Sequence, residues 1–77
     1  EQLIIAAAAC EKEYGNGYGA RLLQALIRCA RQRSHKEVRL SAQRTAESFY
    51  AAHGFVAVGE PFDEVGIPHV EMRLSLL

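Results

Sequence analysis

Apolar and polar positions recur along this chain with two different periods, and the changes of period mark out its elements. From Leu3 to Ala9 every residue is apolar. A continuous run of this length suits a strand covered on both faces, although its alanines also favour helix. The residues from Glu11 to Tyr14 read as a polar turn. From Gly17 to about Arg33 the apolar residues Leu22, Leu23, Leu26, Ile27 and Ala30 return at helical spacing, with Arg21, Gln24, Arg28, Arg31 and Gln32 over much of the other face. Glu37-Val38-Arg39-Leu40-Ser41 alternates as a strand does. Gln43 to His53 reads as a helix with Ala46, Phe49, Tyr50 and His53 on one face, and Gly54 fits the left-handed residue that ends it. Phe55 to Val58, and Val70, Met72 and Leu74 alternating with Glu71, Arg73 and Ser75, predict two more strands. The stretch from Gly59 to Pro68, which holds both prolines, predicts a loop between them.

The predicted order is β-α-β-α-β-β, an α/β (α+β) half-domain with a mixed sheet and two helices. Strands alternating with helices imply parallel crossover connections, and the last two strands pair antiparallel. The 77 residues make one domain at most. A domain of that size buries only about 60% of its unfolded surface, so its stability is marginal. Apolar residues at 49% and charged residues at 23% fit a folded globular chain and argue against disorder. Nine basic and nine acidic side chains cancel, which removes any general pull on nucleic acid or an anionic membrane. Near-zero net charge favours self-association. No apolar run approaches the ~20 residues of a membrane span, and the apolar start lacks the basic flank of a signal peptide. Cys10 and Cys29, with no other sign of disulfide, read as reduced thiols of a cytoplasmic protein.

The densest chemical signal is Tyr14-Gly15-Asn16-Gly17-Tyr18-Gly19, followed at once by Ala20-Arg21-Leu22-Leu23. Glycines at alternate positions let the backbone aim its N–H groups at one point, and a helix start adds unpaired donors and partial positive charge. Together these make a site for a phosphate or pyrophosphate. A glycine-rich turn before a helix is also a common tight connection.

Taken with the later segment Gln43-Arg44-Thr45-Ala46-Glu47-Ser48-Phe49-Tyr50-Ala51-Ala52-His53-Gly54-Phe55, this loop resembles the C-terminal half of a GCN5-related N-acetyltransferase (GNAT). Leu40-Ser41-Ala42-Gln43 and the segment from Gly59 to Met72 resemble the ElaA-type branch in particular. The similarity covers nearly the whole chain, so residues 1–77 are expected to be a single truncated domain of that type. The resemblance implies acetyl-CoA as donor and a primary amine as acceptor. It implies that the backbone of the first strand, at Ala7 and Ala9, pairs with the pantetheine arm of the cofactor. The loop of Tyr14, Gly15, Asn16, Gly17, Tyr18, Gly19 and Ala20 would hold the pyrophosphate, each charge-assisted bond contributing about 1.5–3 kcal/mol. Gln43 stands where the family often has Asn, and with Phe49 it would border the cofactor arm. Tyr50 matches the tyrosine that often protonates the departing thiolate; a phenol of ordinary pKa near 10 is matched to that leaving group. Tyr14 departs from the Gln or Arg usual at its position. Proteins of this family have about as much chain again before the first strand, and without it the edge from Leu3 to Ala9 is expected to pair with a second copy of the chain in a homodimer.

Other readings of the same residues stay open. Tyr50 is a core tyrosine by default, and Gln43 is a helix-start residue. His69 is either a base for the acceptor amine or a strand histidine hydrogen-bonded locally. Glu60, Asp63 and Glu64 either attract an amine or form a solvated turn. Arg21, Arg28 and Arg31 either approach phosphates or stay in solvent. The histidines and cysteines lack metal-ligand spacing, so no metal is expected. The alternative to an enzyme is a non-catalytic half-domain that binds CoA or self-associates.

Overall fold

The computed structural model describes residues 2–12 and 17–77. Its strands are β1 (Gln2–Ile4), β2 (Glu37–Gln43), β3 (Val56–Glu64) and β4 (Ile67–Ser75). Its helices are α1 (Ala7–Lys12), α2 (Tyr18–Gln32) and α3 (Glu47–Ala52), the last entered through a 3-10 turn over Arg44–Ala46. The strands form one sheet in the order β1-β2-β4-β3. β1 runs parallel to β2, while β4 is antiparallel to both β2 and β3. The expected mixed sheet, with a parallel first pair and an antiparallel last pair, is therefore present.

Alternation along β2 decides which face is covered. Val38, Leu40 and Ala42 are buried, and they stand opposite Leu74, Met72 and Val70 of β4. The same buried cluster takes in Leu23 and Ala30 of α2 and Tyr50 of α3, so both helices pack on this face. The intervening residues face the other way and carry charge. There Arg39 bonds Glu37 at 2.7 Å and also Glu71, and Arg73 reaches Glu37 at 3.4 Å.

Two expectations are corrected. The apolar run from Leu3 to Ala9 is not one strand. β1 ends at Ile4, Ile5 N donates to Arg39 O at 3.0 Å, and from Ala7 the chain is helical. β2 runs on to Gln43, but the alanine run leaves its edge after Arg39 and turns helical, as alanine's helix propensity favours. The expected β-α-β-α-β-β order thus gains a helix. The expected loop from Gly59 to Pro68 is likewise the body of a long hairpin. Val58 pairs with Glu71 and Phe62 with His69, so three β3 residues bulge opposite one of β4. Gly59, at φ 77°, and Pro61 both sit in that bulge of an edge strand, where a missing donor breaks no rung.

Candidate functional site

Where β1 stops pairing, the sheet opens. α1 turns off the sheet and carries Glu11 back toward the far end of β2. There Gln43 N donates to Glu11 Oε2 at 3.2 Å. The Tyr50 hydroxyl meets the same wall, donating toward Ala7 O at 3.2 Å and Glu11 Oε2 at 3.3 Å. Beside it lies a cleft of about 390 Å³, walled by Ile5, Ala6, Ala7 and Glu11 on one side. Ser41 and Gln43 of β2 form its floor, and the hairpin end with Glu64, Val65, Ile67 and His69 closes it.

Electrostatics at the wall follow from burial beside a carboxylate. Tyr50 is fully buried. Desolvation first, then the charge of Glu11, pushes its phenol well above the ordinary value. Burial, then Glu11, also raises the Cys10 thiol. His69 stands opposite Gln43 in the β2–β4 register and stacks on Phe62, with ring centroids 6.1 Å apart. Its Nδ1 lies 2.8 Å from Ile67 O. A carbonyl can only accept, so the proton sits on Nδ1 and Nε2 is the basic nitrogen. Among the described residues the buried Ser41 Oγ finds no hydrogen-bond partner.

The structure thus gathers Ala7, Gln43 and His69 around one cleft, with Tyr50 immediately behind its wall. Ala9 lies in α1 with Ala7, so these two residues do not present the extended backbone expected of them. Phe49 packs edge-on against Tyr50 at 5.0 Å and His53 at 5.2 Å, and it is not among the residues lining the cleft. Gly17 caps α2 in the left-handed region at φ 84°, with open space where a Cβ would stand. Tyr18 is exposed, Gly19 buried and Ala20 half-buried in the first turn of α2. Tyr14, Gly15 and Asn16 lie outside the described residues. Sequence reasoning missed Glu11, Ser41, Val65 and Ile67. The signal for Glu11 was its four-residue spacing from Ala7, which puts both on one helical face once the alanine run is read as helix. Among the described residues no group of three His, Cys, Asp or Glu side chains is arranged to hold a metal ion, and no helix is long and apolar enough to cross a membrane.

The family model described as an Acetyltransferase (GNAT) domain matches residues 7–76. Protein ElaA of Escherichia coli is 37% identical over 64 residues, which is 82% of this chain and 42% of ElaA. The crystal structure of an acyl-CoA N-acyltransferase from Pseudomonas aeruginosa superposes with a TM-score of 0.74 at 37% identity, over 79% of this chain and 42% of that one. A GNAT family acetyltransferase from Elizabethkingia anophelis, solved with acetyl-CoA bound, shares the fold with a TM-score of 0.63 at 22% identity, over 86% of this chain and 54% of that one. The chain spans less than half the length of the curated relatives it matches. With its sheet order, its cleft and these likenesses taken together, the chain belongs to the GNAT acetyltransferase family, in the branch that resembles ElaA.

Proposed function

We propose that this chain carries acetyl transfer from acetyl-CoA to a primary amine. The observation that supports it most is the cleft where β1 leaves β2, with the Tyr50 hydroxyl hydrogen-bonded to its wall. The residues present fit the donor. Ile5, Ala6 and Ala7 offer an apolar wall to a pantetheine arm, and the Ser41 Oγ, without a partner among the described residues, offers a hydrogen bond to its amides. The left-handed Gly17 opens α2 with no acidic residue in its first turn, as a diphosphate site at a helix start requires. Acetyl-CoA, bound there, supplies the thioester carbonyl. A likeness in fold to a protein solved with acetyl-CoA supports the same reading.

In this reading Nε2 of His69 takes the first proton from an acceptor ammonium, and the Tyr50 phenol belongs to the hydrogen-bonded path that returns a proton to the departing sulfur. Glu11 and Glu64 attract the cationic amine into the cleft. The open edge of β1, where Ile4 is 70% exposed, pairs with a second copy of the chain.

Calorimetry with coenzyme A, then an acetylation assay on a panel of amines, tests the proposal; absence of both binding and turnover refutes it. Tyr50→Phe is expected to lower kcat with coenzyme A affinity unchanged. Gly17→Asp forces an L side chain and a negative charge into the helix start, and is expected to weaken coenzyme A binding; equal affinity removes the loop assignment. Sedimentation distinguishes the dimer from a monomer.

A further inference from the structure

Tyr50 has no exposed surface, and its hydroxyl bonds two wall atoms, Ala7 O and Glu11 Oε2. Only one of these can carry a proton. A peptide carbonyl accepts a hydrogen bond and passes nothing on, whereas a carboxylate takes up a proton and releases it. Glu11 lines the cleft, so its carboxylate stands between the reactants' space and the phenol. Its geometry is also held. Oε2 accepts from Gln43 N and from Tyr50, two donors on different elements that fix one carboxylate orientation.

We propose that Glu11 is the group that exchanges protons with the reacting amine and sulfur, and that Tyr50 acts through it. The inference rests on the acetyl-transfer reading above. An acceptor ammonium loses two protons in becoming an amide, and His69 takes the first. The amine lone pair then forms the C–N bond, and the C–S bond breaks with its electron pair left on sulfur. The second N–H proton passes to the Glu11 carboxylate and from there to the thiolate, so the carboxylate is regenerated and no outside acid is consumed. Tyr50 is then a positioning residue that keeps Oε2 turned to the wall. The phenol's raised pKa agrees with this, because a buried phenol beside a carboxylate is a poor acid while that carboxylate is charged.

Glu11→Gln keeps the size and an oxygen for Gln43 N but cannot shuttle a proton. It is expected to lower kcat by at least about 10²-fold while coenzyme A affinity by calorimetry stays at the wild-type value. Tyr50→Phe is expected to lower kcat less than Glu11→Gln does. A second readout needs no ligand. With fluorotyrosine incorporated, the Tyr50 fluorine signal, assigned by its loss in Tyr50→Phe, is expected to show a pH-dependent step transmitted through its hydrogen bond to Glu11. That step is expected to vanish in Glu11→Gln. Among the described residues the other ionisable groups at this wall and cleft are Cys10 on α1, Glu64 on β3 and His69 on β4, and a step that persists in Glu11→Gln has a source other than Glu11 and overturns the inference. Full turnover in Glu11→Gln beside a dead Tyr50→Phe overturns it too, while leaving acetyl transfer intact. A wild-type chain that neither binds coenzyme A nor acetylates refutes the function itself, and the fluorine titration then still decides whether Glu11 governs Tyr50.

Discussion

The hairpin end that closes the cleft stores backbone strain, and releasing it is expected to stabilise the protein. Val65 and Gly66 join β3 to β4 with φ of 47° and 79°. Positive φ at both central residues is the geometry of a type I′ hairpin turn, which favours Asn-Gly and which a β-branched residue adopts poorly. An L residue in the left-handed region is penalised by roughly 1–2 kcal/mol, and Asn by less because its side chain bonds locally. The Val65 side chain is 92% exposed, so replacing it forfeits little burial. Val65→Asn is therefore expected to add about 1 kcal/mol, which in a domain of this size raises Tm by about 4–8 °C. Thermal unfolding followed by circular dichroism, with a urea titration in parallel, measures it. Val65→Ala is the control, since it removes the side chain and keeps the penalised φ. No rise in Tm for Asn, or an equal rise for Ala, refutes the strain argument. Because Val65 also lines the cleft, a stabilised variant that acetylates poorly would identify the strain as part of the site's shape.

Two further outcomes follow from the core and the charged face. Leu23 is fully buried in the cluster that joins α2 to the sheet, so Leu23→Ala is expected to lower stability by about 2–5 kcal/mol, read as a fall in the urea midpoint. The Glu37 carboxyl is held below its ordinary value near 4.5, first by the hydrogen bond from Arg39 and then by the charges of Arg39 and Arg73, against desolvation. A carboxyl whose folded pKa is lowered contributes stability that is complete above its unfolded value and is lost as pH falls through the folded one. The acid limb of stability against pH is expected to flatten in Glu37→Gln and in high salt, and an unchanged limb places the acid sensitivity elsewhere.

The alternation in β2 and β4 was legible because a half-buried strand writes its two faces into the sequence. Val38, Leu40 and Ala42 stand on one face, and Arg39 and Ser41 on the other. The helix of Leu22, Leu23, Leu26 and Ile27 was legible for the same reason at the helical period. Of β3 only the start, Val56 to Val58, was legible, because all but one of its residues are exposed. An edge strand exposed along nearly its whole length carries little periodic signal, and its Gly59 and Pro61 read as a turn when they occupy a bulge. Gln43 and His69 were singled out on different grounds, and the register places them opposite each other.

The misread strand and the missed carboxylate are one error. Had the run from Leu3 to Ala9 continued as a strand, Glu11 would have followed it away from β2 at the extended rise of about 3.3 Å per residue. Helical rise is less than half of that, and it turns the chain as it advances. The turn beginning at Ala7 therefore keeps Glu11 close, within 3.2 Å of Gln43 N and 3.3 Å of the Tyr50 hydroxyl. The same turn ends the β1–β2 ladder and so makes the cleft. The alanines that weaken the chain's reading as a strand are what build the candidate site, because a residue that helix favours, placed where pairing stops, opens the sheet and supplies the carboxylate in a single step.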